Sequence, residues 1–155
     1  MTKDQAYIIA GTRETLTDSD FLTEKFKYKG LAPDSPEVVG VLTKPKSSKH
    51  RSLPLVIFNT SGTKKCGGHA DQPNNYRIME SLGEKVGKAS GGALVVSSSL
   101  RDKDEYGGYD VQDVLDIMEI GKQQPEWDGR NVIMIGVSRG AMMTYLAIRD
   151  GAIVV

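Results

Sequence analysis

The stretch that most constrains the fold is NVIMIGVSRGAMMTYLAIRDG, residues 131 to 151. A β-branched, apolar run ends at Gly136 and passes through Ser138 straight into a helical pattern. So abrupt a turn forces its central residue toward strained dihedrals and requires small neighbours where the backbones crowd. Gly136 and Gly140 meet that requirement, so the sequence predicts a buried strand, a tight turn and a helix in direct succession.

The rest of the chain alternates strand and helix patterns. The predicted strands are an antiparallel pair over 21–30 and 37–43, buried runs over 53–59, from Ala93 and over NVIMIGV, and the final AIVV. The predicted helices lie within 74–88, over 110–121 and from about Arg139 to Arg149. This alternation predicts an α/β fold with a mainly parallel sheet and helices on both faces. Asp110 and Asp113 are interpreted as helix starters.

Length and charge limit the classes of function. A chain of 155 residues suits one domain, predicted over 21–155, after an N-terminal extension over 1–20. The 20 Lys and Arg balance the 20 Asp and Glu, which argues against nucleic acid or an anionic membrane as a partner. No apolar run approaches the ~18 residues of a membrane helix and the start lacks a secretion signal, so a cytoplasmic location is the default expectation.

Metal and cofactor sites are not expected from the sequence. The single cysteine, Cys66, excludes an internal disulfide and has too few potential ligands nearby for a structural zinc site. The glycine pattern SGTKKCGGHA fits neither the dinucleotide fingerprint nor a phosphate-binding loop. We therefore expect no metal and no cofactor, and a nucleotide-binding function is disfavoured.

The Gly136-Val137-Ser138-Arg139-Gly140 pentad has the spacing of a nucleophile elbow. Its three fixed positions recur by chance in about 5% of chains of this length, so the strand and helix around it carry the argument. An elbow here would raise the Ser138 hydroxyl above the sheet and place the Arg139 backbone N–H where it stabilises an oxyanion. A tight strand-to-helix turn without chemistry is the alternative.

A second oxyanion donor is expected from the loop Asn59-Thr60-Ser61-Gly62-Thr63, which follows the strand before the first long helix. Small residues let the backbone approach a substrate carbonyl, and the N–H of Thr60 or Ser61 is the expected donor. An ordinary surface turn explains this composition nearly as well.

Three blocks, FNTSG, DEYGGYDVQDVLDIMEI and IGVSRGAMMTYLAI, together resemble the prolyl oligopeptidase-like serine peptidase family of the alpha/beta-hydrolase fold. The resemblance covers roughly residues 21–155. It implies Ser138 as nucleophile, Arg139 as one oxyanion donor and the Thr60 loop as the other. It also implies that Asp104, Glu105 and Tyr106 lie in a loop bordering the substrate.

The sequence also departs from that family. Members usually have Asn-Arg-Gly-Gly where this chain has Asn59-Thr60-Ser61-Gly62, a Trp at Val137 and a Gly at Ala141, which implies a pocket of different shape. Their acid and histidine follow the elbow, whereas four residues follow Gly151 here and both histidines, His50 and His69, precede Ser138. His69 could approach the site, but a solvent-facing position is the favoured interpretation.

Two functions follow from these observations. The first is a serine hydrolase acting on a small peptide, amide or ester through Ser138. The domain is then expected to be truncated after the strand that follows the nucleophile helix, or to associate with another chain through its apolar C-terminal edge. The alternative is a non-catalytic hydrolase-fold fragment that serves as a binding or interaction module.

Overall fold

The computed structural model describes residues 5–32, 34–47, 52–62, 68–101 and 107–151. Within these ranges, seven strands form one sheet that packs against three α-helices. The strands are β1 (Tyr7–Ile8), β2 (Glu14–Asp18), β3 (Phe21–Lys29), β4 (Val38–Pro45), β5 (Leu53–Asn59), β6 (Leu94–Ser98) and β7 (Trp127–Gly136). The helices are α1 (Pro73–Val86), α2 (Tyr109–Lys122) and α3 (Arg139–Asp150), with a short 3-10 helix at Lys88–Ser90.

The sheet is mixed, so the prediction of a mainly parallel sheet is wrong. Its order is β1-β3-β4-β6-β5-β7, and β2 also pairs with β3. Only β5 pairs in parallel, with β6 and with β7, and the other described pairings are antiparallel. No helix separates β2, β3 and β4 along the chain. Short connections join antiparallel neighbours, whereas parallel neighbours require a crossover.

Alternation of side chains along β5 divides the core into two layers. On one face of β5, Leu55 and Ile57 belong to the cluster that includes side chains of α2 and α3. On the other face, Val56 and Phe58 pack in the cluster that contains Met79 of α1. Because successive side chains of a strand point to opposite faces, helices cover both faces as predicted.

Most predicted elements are found close to their expected bounds. The expected antiparallel pair is confirmed as β3 and β4, with Phe21 opposite Pro45 and Tyr28 opposite Val38. Residues 5–20, part of the expected extension, include β1 and β2, which pair with β3. The AIVV strand, residues 152–155, lies outside the described residues. Among the described helices, none combines the length and the apolar character needed to cross a bilayer.

Candidate active site

Ser138 lies at the turn between β7 and α3, with φ 55° and ψ −118°. Among the described residues it is the only non-glycine residue with a positive φ. Such a conformation costs about 1–3 kcal/mol and persists only where surrounding structure enforces it. The side chain is exposed to solvent. The predicted elbow is therefore present as a strained, accessible serine between a strand and a helix.

Two glycines allow the strand and the helix to approach so closely. A Cβ atom on Gly136 would lie 2.2 Å from the carbonyl oxygen of Gly140. A Cβ atom on Gly140 would lie 2.0 Å from the carbonyl oxygen of Asn59 and 2.9 Å from that of Thr60. The first turn of α3 thus packs directly against the end of β5, where no larger side chain fits without displacement.

The loop predicted to supply the second oxyanion donor begins at the same edge of the sheet. Asn59 is the parallel partner of Gly136, so Thr60 and Ser61 follow β5 where Val137 and Ser138 follow β7. The Asn59 side-chain amide donates to the Thr144 hydroxyl at 2.8 Å, which itself donates to the Gly140 carbonyl at 2.9 Å. These bonds hold the beginning of the loop against α3.

The side chain of Arg139 has a role that the sequence analysis missed. Its Nη2 donates to Asp110 Oδ2 at 2.6 Å, and these side chains are 4% and 2% exposed. Its Nη1 donates to the Gly62 carbonyl oxygen at 3.4 Å. Asp110 Oδ1 accepts the backbone N–H of Arg101 at 3.0 Å. A buried ion pair therefore connects the elbow, the Thr60 loop and the start of α2.

The interpretation of Asp110 and Asp113 as helix starters needs correction. Helix α2 begins after Gly108 without a side-chain cap. Asp113 instead accepts two hydrogen bonds from Arg101, from Nε and Nη2, each at 2.7 Å. The same guanidinium lies over the Tyr109 ring, 4.8 Å from its centroid. Both carboxylates bind an arginine side chain, Asp113 that of Arg101 and Asp110 that of Arg139, instead of capping the helix.

Three acidic side chains of α2, at Asp110, Asp113 and Asp116, are buried. Burial is the largest influence on each and raises the pKa of all three carboxyl groups. Hydrogen bonds and the charge of Arg101 act in the opposite direction on each, and Arg139 does so for Asp110. These carboxyl groups therefore bind protons more readily than exposed ones do.

A cavity of about 840 Å³ lies between the β3–β4 connection and the start of α2. Its lining includes Leu31, Asp34, Arg101, Tyr109 and Gln112. Tyr109 is 64% exposed, so its ring is available to a ligand. Tyr109 directly precedes Asp110, the partner of Arg139, so one wall of the cavity is adjacent in sequence to the buried ion pair.

Several predicted or considered residues lie outside the described part of the chain: Asp104, Glu105, Tyr106, Thr63, Cys66 and His50. His69 is described, and its carbonyl oxygen accepts a bond from Asn75 Nδ2 at 2.6 Å. Within the described ranges, no hydrogen bond joins Ser138 to a histidine or carboxylate side chain. Nor do the residues described there form a cluster of three or more potential metal ligands.

Comparisons with known proteins find solved structures of similar fold. No protein-family model and no curated protein matches the sequence. An acetyl xylan esterase from Paenibacillus sp. R4 matches with a TM-score of 0.63 and 16% identity, over 92% of this chain and 48% of its own. The rice cell wall degrading esterase LipA from Xanthomonas oryzae matches with a TM-score of 0.56 and 16% identity, over 94% of this chain and 44% of its own.

A cold-adapted esterase from an Arctic intertidal metagenomic library is also similar, with a TM-score of 0.60 and 16% identity, over 91% of this chain and 59% of its own. These esterases have the alpha/beta-hydrolase fold, and the likeness confirms that fold for this chain. The chain spans about half the length of the solved structures it matches. The finer resemblance to prolyl oligopeptidase-like peptidases is not confirmed.

Proposed function

We propose that this chain carries the nucleophile and the oxyanion hole of a serine hydrolase that acts on small esters. The observation that carries the proposal is the conformation of Ser138, φ 55° and ψ −118°, at an exposed strand-to-helix turn. Glycine would adopt this conformation without strain. A serine held there despite the strain presents a hydroxyl group above the sheet edge, as nucleophilic catalysis requires.

In the proposed reaction, Ser138 Oγ attacks the ester carbonyl carbon while a histidine removes the hydroxyl proton. The backbone N–H of Arg139 and that of Thr60 or Ser61 stabilise the negative charge on the carbonyl oxygen. The tetrahedral intermediate collapses by breaking the bond to the alcohol, which leaves with a proton from the histidine. Water then hydrolyses the acyl-serine by the same steps, which releases the acid and restores Ser138.

The general base and its acid partner are assigned by this proposal to polypeptide outside these 155 residues. The similar esterases are about twice as long, which leaves ample chain for both groups. Strand β7 stands at the end of the described sheet order. We propose that the additional segment, or a second copy of the chain, pairs along β7 and brings the histidine to Ser138.

Esters are preferred over peptides and amides because the similar solved structures are named as esterases. The cavity beside Tyr109 is the proposed site for the part of the substrate away from the reacting carbonyl. Asp104, Glu105 and Tyr106 stay proposed substrate neighbours, since they immediately precede the described start of α2.

A fluorophosphonate probe tests the nucleophile directly, because it reacts covalently with activated serines. In a longer polypeptide that supplies the histidine, we expect labelling at Ser138, located by peptide mass spectrometry, and loss of labelling in Ser138→Ala. Ser81→Ala, a substitution of another helix-associated serine on α1, is the matched control and should label like the unchanged chain. Equal labelling of Ser138→Ala would refute the assignment.

A second candidate, a non-catalytic binding module, is favoured by the absence of a base bonded to Ser138 among the described residues. The longer polypeptide that includes the downstream reading frame distinguishes the two. Hydrolysis of 4-nitrophenyl acetate that depends on Ser138 supports the hydrolase. An unreactive Ser138 in that longer polypeptide supports the binding module.

A further inference from the structure

We infer that Asp110 is a positioning residue of the oxyanion hole, which it orders through the side chain of Arg139. This inference rests on the proposed function, because an oxyanion hole has meaning only where Ser138 reacts. Asp110 itself lies on α2, and its carboxylate binds the Arg139 guanidinium and the Arg101 backbone N–H. Its influence passes through one buried ion pair.

Arg139 connects the two halves of the proposed hole. Its backbone N–H follows Ser138 and is the first donor, while its guanidinium contacts the Gly62 carbonyl in the loop that supplies the second donor. Asp110 Oδ2 accepts the charged hydrogen bond from Nη2 at 2.6 Å. Charge-assisted bonds of this length are short and directional. The pair therefore holds the side chain that links the elbow to the loop.

The chain that follows β6 also holds Asp110 in place. Its Oδ1 accepts the backbone N–H of Arg101, three residues beyond the end of β6. Both oxygens of the carboxylate are thus used, one by the chain after β6 and one by the first residue of α3. The ends of β5, β6 and β7 are therefore connected through Arg139 and Asp110.

The energetics favour a positioning role over a contribution to global stability. The Arg139 and Asp110 side chains are 4% and 2% exposed, and desolvation of a buried ion pair offsets much of its attraction. An oxyanion hole, by contrast, depends on donors within about 2.7–3.1 Å of the developing charge. A small shift of one donor relative to the other therefore lowers reactivity more than it lowers stability.

The test compares Asp110→Asn with Asp116→Asn in the longer polypeptide that supplies the histidine. Asp116 is a second buried carboxylate on α2, 1% exposed, and it binds Gln112 Nε2 rather than Arg139. We expect Asp110→Asn to slow fluorophosphonate labelling of Ser138 by about ten- to a hundredfold, less than the loss from removing a donor outright. Asp116→Asn should label at the original rate.

A second readout does not require a reactive serine. The amides of Gly140, Ala141 and Met142 bond to the carbonyl oxygens of Val137 and Ser138, and they report on the order of the elbow. Hydrogen exchange at these amides should accelerate in Asp110→Asn relative to amides of β5 and β6. In Asp116→Asn it should match the unchanged chain.

The outcomes separate this inference from the proposed function. No labelling of Ser138 in the longer polypeptide refutes the function, while exchange still decides whether Asp110 orders the elbow. Normal labelling together with normal exchange in Asp110→Asn overturns the inference. If Asp110→Asn does not fold, the double variant Asp110→Leu with Arg139→Met removes both charges, so no unpaired charge is left buried. This double variant should fold, with slower fluorophosphonate labelling of Ser138 and faster hydrogen exchange at the Gly140 amide. If both rates instead equal those of the unchanged protein, the inference is overturned.

Discussion

Gly140 lies directly against the main chain of Asn59, and a Cβ atom on Gly140 would be 2.0 Å from the Asn59 carbonyl oxygen. This contact sets the height of α3 above the sheet. It also brings the elbow beside the loop that begins at Thr60, since the next carbonyl oxygen, that of Thr60, would be 2.9 Å from the same Cβ. The geometry of the candidate site therefore depends on a residue without a side chain.

Replacing Gly140 with alanine is expected to destabilise the protein by about 1–3 kcal/mol, because the added methyl group overpacks the contact. Helix propensity alone predicts the opposite, a gain of about 1 kcal/mol for Gly→Ala inside a helix. Urea denaturation measures the difference. Gly129→Ala is the control, since Gly129 has φ +76° and nothing within 4 Å of an added Cβ, so it reports backbone strain alone. Unchanged or increased stability of Gly140→Ala would contradict the steric explanation.

Ser138→Gly is expected to be more stable than Ser138→Ala by roughly 1 kcal/mol, because glycine adopts φ 55° without the strain that any Cβ imposes. Both variants lose the hydroxyl and should lose fluorophosphonate labelling. Chemical denaturation of the two variants measures the backbone strain at this position, because neither variant has the hydroxyl group. Equal stability of the two variants would show that the turn stores no strain at this residue.

Asp116→Asn is expected to change how stability depends on pH. Burial raises the pKa of Asp116 above its ordinary 3.8, so the folded state binds the proton more tightly than the unfolded state does. The stabilisation from this group is complete below pH 3.8 and is lost as the pH rises through the folded-state pKa. As the pH rises through the folded-state pKa of Asp116, the free energy of unfolding of Asp116→Asn should therefore increase relative to that of the unchanged chain.

Asp150→Asn provides a control of opposite sign for the pH experiment. Asp150 is exposed, and its hydrogen bond with Arg149 lowers its pKa below 3.8. The stabilisation from the ionised Asp150 is present above pH 3.8 and is lost as the pH falls through the folded-state pKa. Asp150→Asn should therefore be less stable than the unchanged chain only at higher pH. Parallel pH curves for Asp116→Asn and the unchanged chain would refute the prediction for Asp116.

Tyr28→Phe is expected to destabilise the fold by about 1–3 kcal/mol, because it removes a buried hydroxyl that serves two partners. That hydroxyl lies 2.8 Å from Ser98 Oγ and donates to the Asp113 carbonyl oxygen at 3.1 Å, so it joins β3, β6 and α2. Thermal unfolding measures the loss, with Tyr145→Phe as control because Tyr145 is 80% exposed.

The ionisation of Tyr28 provides an independent check. Burial is the main cause that raises the pKa of its phenol well above the ordinary 10.0. Ultraviolet absorbance should show Tyr28 protonated until the protein unfolds in alkali. Early ionisation of every tyrosine in the folded protein would contradict the burial of this hydroxyl.

Local patterns in the sequence were sufficient for the helices, for β3 to β7 and for the turn at Ser138. Apolar spacing along residues 109–122 identifies α2, and the glycines at 136 and 140 identify the turn, because both signals reside within a few neighbouring residues. The pairing of β4 with β6 has no such signal. Strand direction in a sheet depends on where distant segments meet, so the mixed sheet was not predicted.

The sequence by itself determined that a serine would stand at a tight turn between a buried strand and a helix. The apolar run and the helical spacing meet at Ser138, and Gly136 and Gly140 leave room for the backbones to approach each other. Only the tertiary structure decided that the Asp110 carboxylate, in the first turn of α2, would bind Arg139 instead of capping the helix. The two residues are 29 positions apart, and an aspartate near a helix start has the same pattern in either role. The folded chain buries both the Arg139 guanidinium and the Asp110 carboxylate. An unpaired charge is strongly destabilising in the interior, so the two groups pair with each other.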